Sequence, residues 1–226
     1  MTILALIPAY EAAKTVGQVV RTTRRFVPQV LVVDDGSSDR TGAEAAAAGA
    51  EVLRFAHNRG KGAALRAGFA RLLEAGGSAV ITLDADGQHD PSEIPRFLAC
   101  WQETAAGIVI GSRTRSYQDM TALRRFGNRF SRFAVSYYAG VPVDDPQSGF
   151  RLYDASVLRR IVLRGVRYEM ESEIIVEAAR SGFPIASIDI RLAIADGTAT
   201  SHFRPWRDTA RTCVAVVASS WRRRCS

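Results

Sequence analysis

The stretch AVITLDADGQHDP, residues 79–91, poses the problem that the rest of the chain answers. From Ala79 to Leu83 it has the apolar, β-branched character of a buried strand. Two carboxylates, an amide and an imidazole then follow within six residues: Asp84, Asp86, Gln88 and His89. A strand ending in this way sets Asp84 and Asp86 on the same face of a sheet edge, because side chains alternate with period two. Like charges so close repel unless something positive lies between them. A hard divalent cation with oxygen ligands is the natural candidate.

Outward from that stretch, apolar runs alternate with helical patterns. ILALIP (3–8), VLVVDD (30–35), EVLRF (51–55), AVITLD (79–84) and GIVIGS (107–112) read as strands. They are continuous rather than alternating runs, as expected where helices cover both faces of a parallel sheet. Helical patterns fall near 12–26, 40–48, 61–75 and 92–104. The order predicts an α/β fold with a Rossmann-like, mostly parallel central sheet flanked by helices. Ligands of such sheets sit beyond the carboxyl ends of the strands. Here those ends carry PAYE (8–11), DDGS (34–37), DAD (84–86) and GSR (111–113). A helix cap accounts for Asp39, but not for Asp34 and Asp35 together at the end of an apolar strand. An acidic group there suits a nucleoside, accepting from ribose hydroxyls or a base N–H. In HNRGKGAALRAG (57–68) the glycines permit close backbone approach, and Lys61 adds charge where a helix N-terminus already favours anions. Neither a Walker A loop nor GxGxxG after the first strand occurs, which disfavours a dinucleotide.

The 226 residues suit one large domain with a short appendage, divided as 1–205 and a basic C-terminal helix or tail, 206–226. A net charge of +7 points to anionic partners, nucleotide phosphates or an anionic membrane surface. Nucleic acid is disfavoured, since the acidic strand ends would repel a phosphate backbone. Cys100, Cys213 and Cys225 have no metal-ligand spacing and read as reduced thiols. No stretch reaches the length of a membrane-spanning helix, and MTILALIPAYE lacks the basic start and cleavage site of a signal peptide. A cytoplasmic protein is expected. Residues 121–140 set Leu123, Phe126, Phe130, Phe133 and Tyr137 on one helical face among Arg124, Arg125, Arg129 and Arg132. That pattern fits a helix in a membrane interface and equally a core-packed helix with solvated arginines.

IPAYE (7–11), VVDDGSSD (32–39), NRGKGAAL (58–65), LDADGQHDP (83–91), IGSR (110–113) and DPQSGFRLY (145–153) occur in one order. In these motifs, from Ile7 to about Asp208, the chain resembles the family 2 glycosyltransferases of the GT-A fold, and among them the polyprenyl-phosphate (dolichyl-phosphate) mannose and glucose synthases. The resemblance implies a metal-dependent inverting transfer of sugar from a nucleotide sugar, of the GDP-mannose or UDP-glucose class, to a polyprenyl phosphate. Pro8, Ala9, Tyr10, Glu11, Asp35, Lys61, Asp84 and Ala85 would face the nucleotide. Asp84 and Asp86, with Gln88, would hold Mg²⁺ or Mn²⁺ against the diphosphate. Asp86, Arg113, Arg129 and Arg151 would stabilise the departing charge. His89 and Asp90 would shape the turn before Pro91. In DGTATSHFRP (196–205), Ser201, His202 and Arg204 would meet the acceptor phosphate, with His202 standing where the family commonly has lysine. The chain stops after a basic tail where many relatives continue into membrane-spanning helices, so peripheral docking on the inner membrane face is expected. A hydroxyl acceptor would instead need a carboxylate base, for which Asp145, Glu169 and Glu171 are available. A nucleotide-sugar-binding scaffold without turnover is the non-enzymatic alternative.

Overall fold

The computed structural model describes residues 1–113, 122–163 and 169–193, with side chains from Asn128 onward in the helix opening at Ala122 and from Met170 onward in the one opening at Glu169. Ser201, His202, Arg204 and the tail 206–226 lie outside the described residues, as do the side chains of Leu123, Arg124, Arg125, Phe126 and Glu169.

Strands β1 (Ile3–Ala9), β2 (Val30–Asp34), β3 (Glu51–Arg54), β4 (Ala79–Thr82) and β5 (Ile108–Ser112) fall on the five apolar runs. Helices α1 (Val16–Thr23), α2 (Thr41–Ala47), α3 (Lys61–Glu74) and α4 (Ile94–Thr104) alternate with them. The second half adds α5 (Ala122–Ala139), β6 (Arg151–Asp154), α6 (Ala155–Arg160), α7 (Glu169–Arg180) and β7 (Ile185–Asp189). The strands form one seven-stranded sheet in the order β3-β2-β1-β4-β6-β5-β7. β6 runs antiparallel to both its neighbours, and all other pairs are parallel.

The continuous apolar runs follow from burial on both faces. β1 sends Leu4 and Leu6 into one core, where Phe69 of α3, Val157 of α6 and Ile174 of α7 meet them. Its alternate residues Ala5 and Ile7 enter the other core, with Val16 and Val20 of α1 and Phe97 of α4. Chain growth changes direction at β1, with β2 and β3 added on one side and β4 on the other. A crevice opens at such a switch point, beyond the strand ends. β6 adds to it because it runs the other way. Its first residue, Arg151, pairs with Thr82 at the end of β4, so the segment entering β6 arrives at the carboxyl ends of its neighbours.

One expectation is corrected. β4 ends at Thr82, so Asp84 and Asp86 are not alternate residues of a strand but members of the turn that follows it. Gly87, at φ +77°, completes that turn in a conformation L side chains rarely adopt.

The 121–140 segment is helical from Ala122, and Phe130, Phe133 and Tyr137 do not face the core. α5 buries Ser131, Val135 and Ala139 while Phe130, Phe133 and Tyr137 are 50, 69 and 72% exposed. Phe133 and Tyr137 stack on each other along that outer face.

Gly36 carries a direct structural burden at the end of β2. Its φ is +74°, and a Cβ there would lie 2.5 Å from the carbonyl carbon of His57. Gly36→Ala combines left-handed strain with a backbone clash, and should lower unfolding free energy by about 2–4 kcal/mol in urea titrations. A loss below about 0.5 kcal/mol, the range of a neutral surface change, would show that the turn relaxes freely.

Candidate active site

The ends of β1 and β2 are cross-tied. The Asp35 N–H donates to the Ala9 carbonyl at 2.8 Å. Glu11 has φ of 52°, uncommon for a non-glycine residue. It is held there by its N–H donating to Ser37 Oγ at 3.0 Å, and by its carboxylate accepting from the Ser38 N–H at 2.7 Å. Asp39 accepts from the Thr41 N–H at 2.9 Å and the Ala13 N–H at 3.1 Å, so it joins the start of α2 to the chain before α1. Burial opposes the Asp39 charge, yet the hydrogen bonds from Thr41 and Ala13 prevail and lower its pKa below the ordinary carboxylate value. Along the rim, Ala9 is buried, Pro8 and Glu11 are partly buried, and Tyr10 is exposed.

Asp35 is buried, and its two oxygens accept from the N–H groups of Arg59 (2.7 Å) and Gly60 (2.8 Å). Its immediate task is to fix the 59–60 turn. Gly60, at φ +93°, then lets α3 begin directly at Lys61. The Lys61 side chain crosses the crevice: Nζ lies 2.5 Å from Asp84 Oδ1 and 3.2 Å from Glu171 Oε2. The structure thus sets Lys61 against the carboxylate for which the sequence suggested a divalent cation as partner.

Asp84 rests on Gly149, where a Cβ would come within 2.5 Å of its Oδ2. Its backbone N–H donates to Nδ1 of the buried His89 at 3.3 Å, which assigns the proton of that neutral ring to Nε2. The ring lies against Phe150. Asp90 accepts from the Ser92 N–H and caps the following turn. Asp86 accepts from the Gln88 N–H at 3.0 Å, and Thr15 Oγ1 donates to the Ala85 carbonyl at 2.6 Å. The two aspartates are pushed apart. Burial opposes ionisation of Asp84, but Lys61, with His89 and Arg113, holds its carboxyl well below the usual range. Burial and the Asp84 charge raise the pKa of Asp86.

The arginines separate into different environments. Arg113 forms a two-pronged pair with the buried Asp145, Nε to Oδ2 at 2.8 Å and Nη2 to Oδ1 at 3.1 Å. Arg129 is exposed on α5. Arg151 departs from expectation: it is fully buried rather than facing a phosphate. Its guanidinium donates to the carbonyls of Pro146 (2.7 Å), Ser148 (2.7 Å) and Glu171 (2.5 Å). This binds the loop carrying Asp145 and Gly149 to the start of α7. Sequence reasoning did not single out Gly149 or the Asp145–Arg113 fork. The SGFR run, a glycine two residues before the arginine that opens an apolar strand, held the signal.

The donor set fits a hard cation. Among the described residues no group of three His, Cys, Asp or Glu side chains forms a metal shell. A pair of carboxylates is nevertheless the usual protein share for Mg²⁺, with substrate phosphates and water completing the shell. Lys61 shows that Asp84 accepts a cation at contact distance.

A family model described as glycosyl transferase family 2 matches residues 5–166. The chain belongs to that family. This family 2 glycosyltransferase is 34% identical to the polyprenol monophosphomannose synthase of Mycolicibacterium smegmatis, over 83% of this chain and 76% of that one. It is 33% identical to the undecaprenyl-phosphate mannosyltransferase of Micrococcus luteus, covering 84 and 83%. A dolichyl-phosphate beta-glucosyltransferase of Drosophila melanogaster is 30% identical, over 88 and 67%. Among solved structures, the glucosyl-3-phosphoglycerate synthase of Mycobacterium tuberculosis, in complex with Mn²⁺, UDP-glucose and phosphoglyceric acid, superposes with a TM-score of 0.76 at 20% identity, covering 97% of this chain and 79% of that one. The likeness is one of fold, and the fold is GT-A.

His89 gives the transferase a pH signature. Burial lowers its pKa to about 4, against the pull of the Asp84 charge. Between pH 6.5 and 4 the unfolded chain therefore binds a proton that the folded chain refuses, and stability falls as pH falls through that window. In metal-free buffer the unfolding free energy should drop by about 3 kcal/mol from this group alone. His89→Asn should flatten the slope, and an identical slope in that variant would contradict the assignment.

Proposed function

We propose that this glycosyltransferase carries sugar from a nucleoside diphosphate sugar, of the GDP-mannose or UDP-glucose class, to a polyprenyl phosphate in a single, metal-dependent, inverting displacement. The observation that carries the reading is the state of the acidic groups around the crevice. Asp145 is locked by Arg113 and Glu171 is paired with Lys61, so two of the three carboxylates considered as a base are already engaged with cations. Glu169 is the third, and its side chain lies outside the described residues. A hydroxyl acceptor needs a base. A phosphate acceptor arrives as an anion and needs cations instead. The names of the three relatives given above, sugar transferases to polyprenyl or dolichyl phosphates, support the same choice.

In this reading the chain's own residues act mainly by position and charge. Pro8, Ala9, Tyr10 and Glu11 line the nucleoside side, and Asp35 fixes the turn that delivers Lys61. Asp84 and Asp86, with Gln88, hold Mg²⁺ or Mn²⁺. When bound, that ion supplies Lewis-acid stabilisation of the charge on the diphosphate oxygens. An acceptor phosphate oxygen attacks the anomeric carbon from the face opposite the diphosphate. The bond from that carbon to the diphosphate breaks, and the nucleoside diphosphate leaves with the electron pair. Lys61, Arg113 and Arg129 lower the charge opposing the approach of two anions. Ser201, His202 and Arg204 are assigned to the acceptor phosphate. The non-catalytic alternative gains nothing from the geometry, since the aspartate pair is intact. Asp84→Asn and Asp86→Asn should each reduce transfer to a short prenyl phosphate by at least about a hundredfold with the fold retained. Full wild-type transfer in EDTA would overturn the reading.

The acceptor fixes where the enzyme works. Phe130, Phe133 and Tyr137 form an exposed aromatic stripe on α5, with Arg129 and Arg132 beside it. Among the described residues no helix is long and apolar enough to cross a membrane. A stripe of this kind, together with the basic residues of 206–226, suits the cytoplasmic surface of an anionic membrane. The protein should sediment with phosphatidylglycerol vesicles at low salt. Joint replacement of Phe130, Phe133 and Tyr137 by serine should weaken that binding on the order of tenfold or more. Unchanged sedimentation would remove α5 from the docking surface.

A further inference from the structure

We propose that Lys61 is the built-in counter-ion of the metal seat, exchanged for the divalent cation on binding and then retained by Glu171. The inference rests on the reading of Asp84 and Asp86 as metal ligands. Lys61 Nζ lies 2.5 Å from Asp84 Oδ1, on the carboxylate that would hold the metal ion. An ammonium and a divalent cation on one carboxylate repel each other strongly, even in a partly solvated site. The ammonium therefore competes with the metal.

Its alternative seat is already built. Glu171 Oε2 is 3.2 Å from the same Nζ, so a small swing of the flexible lysine stem moves the charge from one carboxylate to the other. Both ends of that swing are fixed. The backbone at Lys61 follows Gly60, whose N–H is held by Asp35. The backbone at Glu171 is held through its carbonyl by the buried Arg151. Glu171 is itself buried, and a buried carboxylate left without a cation is strongly disfavoured. Glu171 thus keeps the ammonium inside the crevice after it leaves Asp84, where the diphosphate gathers charge. Before metal arrives, the same ammonium keeps Asp84 ionised and the turn after β4 in place.

Exchange has a consequence that simple scaffolding lacks: Lys61 and Glu171 act on metal affinity in opposite directions. Removing the ammonium by Lys61→Met removes the competitor. Removing the receiving charge by Glu171→Gln leaves the ammonium on Asp84. Mn²⁺ alone is titrated into the metal-free full chain, and free Mn²⁺ is read by electron paramagnetic resonance. Lys61→Met should bind Mn²⁺ on the order of fivefold more tightly than wild type, and Glu171→Gln on the order of fivefold more weakly. Lys61→Gln carries the same expectation as Lys61→Met should the latter fail to fold. Folded Lys61 variants that bind Mn²⁺ no more tightly than wild type would overturn the exchange. The underlying metal reading fails separately, through Asp86→Asn: Mn²⁺ uptake unchanged in that variant would remove the aspartate pair as the seat.

Discussion

The Lys61 ammonium, between Asp84 Oδ1 and Glu171 Oε2, joins the start of α3, the turn after β4 and the start of α7. These segments meet because acidic groups have been gathered at the carboxyl ends of a parallel sheet, where like charges in a partly buried crevice need compensation. Each neighbour of the pair serves that compensation or its geometry. Asp35 fixes the turn before Lys61, Gly149 makes room for the Asp84 carboxylate, and His89 receives the Asp84 N–H while remaining neutral. Electrostatic preorganisation of this type is what the proposed transfer between two anions requires.

The antiparallel β6 is what makes the crevice deep enough to be assembled from both halves of the chain. A parallel strand there would deliver its first residue to the opposite edge of the sheet. Because β6 runs the other way, the loop from Asp145 to Phe150 sits over the ends of β4 and β5. Arg151 locks that loop to α7 with three carbonyl partners, so it bears on the site through backbone position. A buried guanidinium with its donors matched to carbonyls is stable where a loose one would not be.

Much of the first half was legible in the sequence, because burial on both faces leaves continuous apolar runs and glycines mark the turns between them. β1 to β5 and α1 to α4 follow those signals closely. β6 and β7 gave weaker ones. RLYD is four residues long and opens with a charge, and IASID is only partly buried along its length. The acidic strand ends pointed to the crevice beyond the sheet and to a divalent cation there, which is the seat proposed above. Their pairing was not legible, since it depends on which loops the sheet order brings together. Lys61 was expected at phosphates and is found on Asp84. Arg151 was expected at a phosphate, but register with β4 carries it into the interior. For α5 the spacing placed Phe130, Phe133 and Tyr137 on one face but could not say which side the core takes. Small and β-branched residues, Ser131, Val135 and Ala139, pack inward instead.

The central claim is that Asp84 and Asp86 together seat a divalent cation against a nucleoside diphosphate at the β1–β4 switch point. Anomalous diffraction at the manganese edge, from crystals holding Mn²⁺ and a nucleoside diphosphate, tests it most directly. The account predicts one anomalous peak within coordination distance of both aspartates and of diphosphate oxygens, with the Lys61 ammonium displaced from Asp84. A nucleotide bound in the crevice with no manganese at the aspartate pair, or with Lys61 still seated on Asp84, would contradict it.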